Sequence, residues 1–200
     1  MISLNNHPLI IWLGLGNSDT PYQNTRHNVG WLFCDHVVKH LGIDFKSSKY
    51  GSVASAQKLV LLKLTGYMNE SGYHLQRILS FHKWNLQQTL VVHDDIDFPV
   101  GTIKLRTGGS DGGHRGLRSI GEALGTMEFW RLRVGIRGEM PQFQTKEQKD
   151  KFIVDYVLSP FTSLERKTVQ EVFNKVTPWI ADIRDNPTLA MNKINSLSGN

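Results

Sequence analysis

Short apolar runs alternating with amphipathic stretches constrain this chain most. Residues 9–13 (LIIWL), "KLVLLKL" at 58–64 and "TLVVHDDID" at 89–97 are too short for buried helices and are predicted to be buried strands. Val29, Leu32, Phe33, Val37 and Leu41 recur at helical spacing until Gly42, a stop signal. A second helix is predicted in "ESGYHLQRILSFHKW", with Leu75, Ile78, Leu79 and His82 on one face. "TIKLR" and "RLRVGIR" have period two, so each is expected to bury one face and present basic residues on the other. The short helix "HRGLRSIGEAL" lies between them. After Pro160, "TSLE" has the form of a capping box. It opens an amphipathic helix through Val169, Val172, Phe173, Val176, Trp179, Ile180 and Ile183, bent at Pro178. The tail beyond Asn186 is polar and expected to fray. The prediction is one α/β domain over 1–200: a twisted mixed sheet flanked by α-helices.

No linker divides the chain, and no apolar run reaches the roughly 18 residues of a membrane span. One cysteine cannot form an internal disulfide. The expected setting is the cytoplasm, without a membrane partner, and the expected state is a monomer. The formal net charge is +5, and residues 101–137 hold seven Lys or Arg against three acidic residues. That concentration suits either a phosphate-binding surface or a solvated face.

Three familiar motifs fail on inspection. Gly14 and Gly16 begin a GxGxxG whose third glycine is replaced by Asp19, which weakens a dinucleotide site. "GGSDG" puts Ser110 in a GxSxG, but no histidine follows His114 to complete a triad. "HDDID" with His27 and His114 offers metal-ligand types without a spacing that fixes coordination, so neither metal nor cofactor is expected, although His93, Asp94, Asp95 and Asp97 leave a metal-dependent phosphoesterase as a rival. Cys34 reads as inert packing.

Four segments in register resemble one family. "GLGNSDTPYQNTRHNVG" is similar to the GLGNPGxxYxxTRHNxG opening of the bacterial-type peptidyl-tRNA hydrolases, and "YMNESG" to their FMNxSG turn. "VVHDDIDFPVGTIKLRTGGSDGGHRGLRSI" resembles their HDExDxxxGxxxxKxGGGxxGHNGLxSI stretch and "FWRLRVGI" their FxRLRxGIG, with "DYVLSPF" a weaker echo. The resemblance implies hydrolysis of the ester between a peptide and the 3′-terminal adenosine of tRNA, rescuing tRNA from abandoned translation. The implied partner is the acceptor stem and 3′ end of peptidyl-tRNA.

By the same resemblance His27 is the catalytic base, Asp94 its orienting carboxylate, and Asn17 and Asn69 the polar groups around the reacting carbonyl. Arg106 and Arg133 match a phosphate clamp, with Lys104 beside them. Tyr22 and Met68 match positions near the terminal adenosine and the ester, and His114 and Arg115 belong to the substrate-binding segment. Arg115 replaces an Asn of the family pattern. Ser18 and Asp19, Leu64 and Gly66, and Arg137 to Glu139 depart from it as well. A binding module on the same fold is the rival from a different class, favoured by Arg115 and disfavoured by the intact His27 and Asp94.

Overall fold

A computed structural model describes residues 8–197. Among these residues seven strands form one mixed sheet: β1 (Ile11–Gly14), β2 (Lys46–Ser48), β3 (Gly51–Ala56), β4 (Leu59–Leu64), β5 (Thr89–Pro99), β6 (Ile103–Thr107) and β7 (Trp130–Arg137). Their order is β2-β3-β4-β1-β5-β7-β6. The central strands β4, β1, β5 and β7 run parallel, while β2, β3 and β6 pair antiparallel at the two margins. Seven α-helices accompany them among the described residues: α1 (Val29–Leu41), α2 (Ser71–His82), α3 (Arg115–Leu124), α4 (Lys146–Val157), α5 (Ser163–Val176), α6 (Ile180–Asp185) and α7 (Pro187–Ser196).

Alternate residues of the central strands supply two cores, as the pleat requires. On one face Trp12, Leu90, Val92, Leu132 and Val134 pack with Phe33 and Val37 of α1 and Val172 and Phe173 of α5. On the other, Leu13, Leu62 and Val91 pack with Leu75 and Ile78 of α2 and Leu117 and Ile120 of α3. Two glycines allow the closest approaches. A Cβ on Gly30 would overlap the Val92 carbonyl oxygen, and one on Gly72 would overlap that of Ser119, where α2 crosses α3.

Most predicted elements are present within a residue or two. Gly42 takes the left-handed cap of α1, and Thr162 and Glu165 form the capping box of α5. A single 3-10 turn at Thr177–Trp179, containing Pro178, joins α5 to α6. Several expectations need correction. His82 is exposed and stacks on Trp84 instead of joining the buried face. β7 is buried on both faces, so Arg131 is only 3% exposed instead of solvated. The tail is a helix through Ser196, because Ala190 and Ile194 join the core and the Asn195 side chain bonds both backbone groups of Leu105 on edge strand β6. β2 and β3 escaped prediction: they bury few side chains, and Gln57 and Lys58 take positive φ in the β3–β4 turn without the usual Asn-Gly signal.

Candidate active site

Polar residues gather where β1, β4 and β5 end, at the carboxyl edge of the parallel strands, the usual place for ligands in such sheets. The cleft there has a volume of about 300 Å³. After β1 the chain passes through two 3-10 turns, Thr20–Tyr22 and Arg26–Asn28, before entering α1. The second turn carries His27, which is 8% exposed, to the cleft.

His27 Nδ1 lies 2.8 Å from Asp94 Oδ1, and His114 Nε2 lies 2.9 Å from the same oxygen. The surrounding donors determine which ring nitrogens carry protons. His114 is the N-cap of α3, and its Nδ1 accepts from the backbone N–H of Gly116 and Leu117. Its proton is therefore on Nε2 and donated to Asp94. His27 likewise donates its Nδ1 proton to the carboxylate, leaving the Nε2 lone pair without a protein partner among the described residues. Burial raises the Asp94 carboxyl, but the charges and hydrogen bonds of His27 and His114 outweigh it and hold the group well below the usual carboxylate range. Asp94 is thus an ionised hub that fixes two imidazoles.

His27, Asp94 and His114 are also the one group of potential metal ligands brought close together among the described residues. The fit to a metal is poor. With amide N–H groups facing its Nδ1, neutral His114 must keep a proton on Nε2, so that nitrogen has no lone pair to give. Asp95 is committed to Arg133 at 2.6 Å, and His93 Nδ1 donates to its neighbour's carbonyl at 2.7 Å.

Asn17 is held from both ends. Its backbone exchanges two hydrogen bonds with the Asn28 side chain, each 2.9 Å, and its Oδ1 accepts from Met68 N at 2.8 Å. These leave Nδ2 as the free donor in the cleft. Asn69 also lines the cleft and is exposed, while Glu70 caps the turn by accepting from Tyr67 N at 2.8 Å. Met68 is buried and Tyr22 half-buried in the same wall. Arg106, Arg133, His114 and Arg115 join them.

Lys104 stands apart from the cleft lining. Its ammonium donates to the Asn195 carbonyl at 2.6 Å. Ser110 is an exposed loop residue, and Cys34 is fully buried with its thiol pushed up to about 12, chiefly by burial.

Sequence reasoning missed three contributors. Asn28 was readable only as a polar residue beside His27. Arg131 fastens the Gly-rich loop by donating to the carbonyls of Ser110, Gly109 and Met127. Ile153, Val154, Val157 and Leu158 of α4 and its C-terminus form an apolar wall, whose signal was the helical spacing ahead of Pro160. Arg26, next to His27, reaches that side of the molecule. It pairs with Glu165 at 2.6 Å, donates to Ser159 and Pro160, and lies over the Tyr156 ring at 4.2 Å.

The departures at Ser18, Asp19 and Gly66 bond to one another. Ser18 N donates to Gly66 O and Gly66 N to Ser18 Oγ, both at 3.1 Å, while the Tyr67 hydroxyl donates to Asp19 at 2.9 Å. They stitch the Asn17 loop to the Met68–Asn69 loop.

Comparison with known proteins agrees with this architecture. A family model described as peptidyl-tRNA hydrolase matches residues 11–200. A peptidyl-tRNA hydrolase of Exiguobacterium sibiricum is 36% identical over 189 residues, covering 92% of this chain and 98% of that protein. One from Aquifex aeolicus is 39% identical over 168 residues, covering 82% and 83%. The crystal structure of an Arg119Gln mutant of peptidyl-tRNA hydrolase from Acinetobacter baumannii superposes with a TM-score of 0.82 at 28% identity, over 95% of this chain and 96% of that one. By its sequence over nearly its whole length, and by its fold, this chain belongs to the peptidyl-tRNA hydrolase family.

Proposed function

We propose that this chain, a hydrolase by family, cleaves the ester between peptide and the 3′-terminal adenosine of peptidyl-tRNA by water attack assisted by His27. The observation that carries the reading is the His27–Asp94–His114 arrangement, with the His27 Nε2 lone pair at the cleft. His27 takes a proton from water as the water oxygen attacks the ester carbonyl. Asp94 holds the reactive tautomer and balances the imidazolium that forms. The second imidazole, His114, keeps the carboxylate from turning away. As the carbonyl becomes tetrahedral, negative charge grows on its oxygen, and the Asn17 Nδ2 and the Asn69 amide are the donors that meet it. His27 then returns its proton to the departing ribose oxygen, so the step neither consumes nor releases a net proton at the enzyme.

Substrate binding divides along the cleft. Arg106 and Arg133, on β6 and β7, hold phosphates near the acceptor end; Arg133 is kept extended by Asp95. Tyr22, Met68 and the apolar wall of α4 receive the flat or apolar parts of the adenosine and peptide. The monomer is the functional unit in this reading, with every proposed catalytic group on one chain, and the cytoplasm its setting.

The test is deacylation of a labelled N-acetyl-aminoacyl-tRNA, with and without EDTA, by the wild type and by His27→Ala. The wild type is expected to turn over equally with chelator, and the variant to lose at least about 10²-fold in kcat while retaining tRNA affinity within a few fold. Activity that survives in the variant overturns the base assignment, and activity lost to EDTA revives the phosphoesterase rival.

A further inference from the structure

We propose that Arg115 makes the cleft selective for peptidyl esters whose esterified residue carries a carboxylate side chain. This rests on the hydrolase reading above. The charges of the cleft wall are almost all spoken for: Asp95 holds Arg133, Asp94 holds two histidines, Asp111 takes Gly113 N–H and Arg118, and Arg131 gives its two terminal nitrogens to three carbonyls. Among the described residues Arg106, Asp97 and Arg115 remain without ion pairs. Arg115 is exposed in the wall and has no hydrogen-bond, ion-pair or ring partner among the described residues. It is the first residue of α3, where a cation opposes the helix dipole, so the fold gains nothing locally from its charge.

Position selects the peptide over the RNA as the source of the anion. Arg115 follows His114, whose ring is 4.8 Å from that of His27, so its backbone is tied to the residues that surround the reacting carbonyl. The next residue, Gly116, lies against Met68, on the side of the loop bearing Asn69. Arg106 and Arg133 come from β6 and β7, at the margin of the sheet. A side chain on the residue being released is separated from the carbonyl by only a few bonds, whereas the nearest phosphate lies beyond the ribose. A guanidinium fork matches a carboxylate with two parallel hydrogen bonds and repels an ammonium.

The experiment compares kcat/KM for N-acetyl-glutamyl, N-acetyl-glutaminyl and N-acetyl-lysyl esters of one tRNA sequence. The wild type is expected to favour glutamyl over glutaminyl by about five- to tenfold, the size of a charge-assisted hydrogen bond at an exposed site, and to disfavour lysyl. Arg115→Gln brings the glutamyl-to-glutaminyl ratio close to one, and Arg115→Lys, which keeps the charge without the fork, gives an intermediate ratio. An unchanged ratio in Arg115→Gln overturns the proposal. So does a uniform loss on all three esters with a shallower salt dependence, which marks a phosphate contact. A glutaminyl ester deacylated by the wild type with no preference for glutamyl sinks this inference alone; failure to deacylate any ester sinks the hydrolase reading and this one with it.

Discussion

At the scale of single residues, the site is built by committing one atom of each polar group so that the other is free. His114 Nδ1 and Asn17 Oδ1 are occupied by backbone N–H groups, and each commitment decides what the opposite atom offers. Arg106 and Arg133 differ in the same respect. Arg133 is paired with Asp95, whereas Arg106 makes only a long 3.5 Å contact to a neighbouring carbonyl. Arg106→Ala is therefore expected to raise KM and reduce the slope of log(kcat/KM) against log[salt] by about one, with kcat little changed. Arg133→Ala is expected to do the same and more, since it also leaves Asp95 unpaired beside the proposed phosphate contacts. Steady-state kinetics over a salt series check both; a fall in kcat alone contradicts a clamping role.

At the scale of elements, the edges of the sheet show what local reading can and cannot reach. β1, β4 and the first half of β5 were legible because they are largely buried on both faces and so appear as short, mostly apolar runs. The basic alternation in β7 misled, because Arg131 buries its charge against carbonyls of a loop 21 and 22 residues away in sequence, partners that periodicity cannot name. α7 was illegible as a packed helix for a similar reason: its polar residues include Asn195, whose amide completes the ladder of β6 and covers that edge. Asn195→Ala leaves the N–H and C=O of Leu105 without that partner, and a loss of about 1–3 kcal/mol in unfolding free energy is expected. Urea denaturation checks it; an unchanged midpoint shows that α7 protects the edge without that side chain.

For the molecule as a whole, stability and chemistry meet at the buried end of β5. His93 is pushed down to about 3, first by burial and then by the His114 ring, so it remains neutral in the folded protein where an unfolded chain would protonate it. Its folded value lies below the unfolded one of about 6.5. The stability it contributes is thus present above that unfolded value and is lost progressively as pH falls toward about 3. The urea midpoint of the wild type is expected to fall between pH 6.5 and pH 4.5, and to fall less in His93→Asn. Parallel curves for the two proteins would remove His93 as the cause. By itself the sequence determined the alternation of strands and helices, hence the α/β class, and through residues 14–30 and 91–120 the chemistry to look for, because local periodicity and residue type are enough for both. Only the tertiary structure decided that two imidazoles share one Asp94 oxygen, that Arg131 is buried while Arg115 is free, and that the tail closes an edge, because each depends on which distant backbone groups are left needing a partner once the sheet has formed.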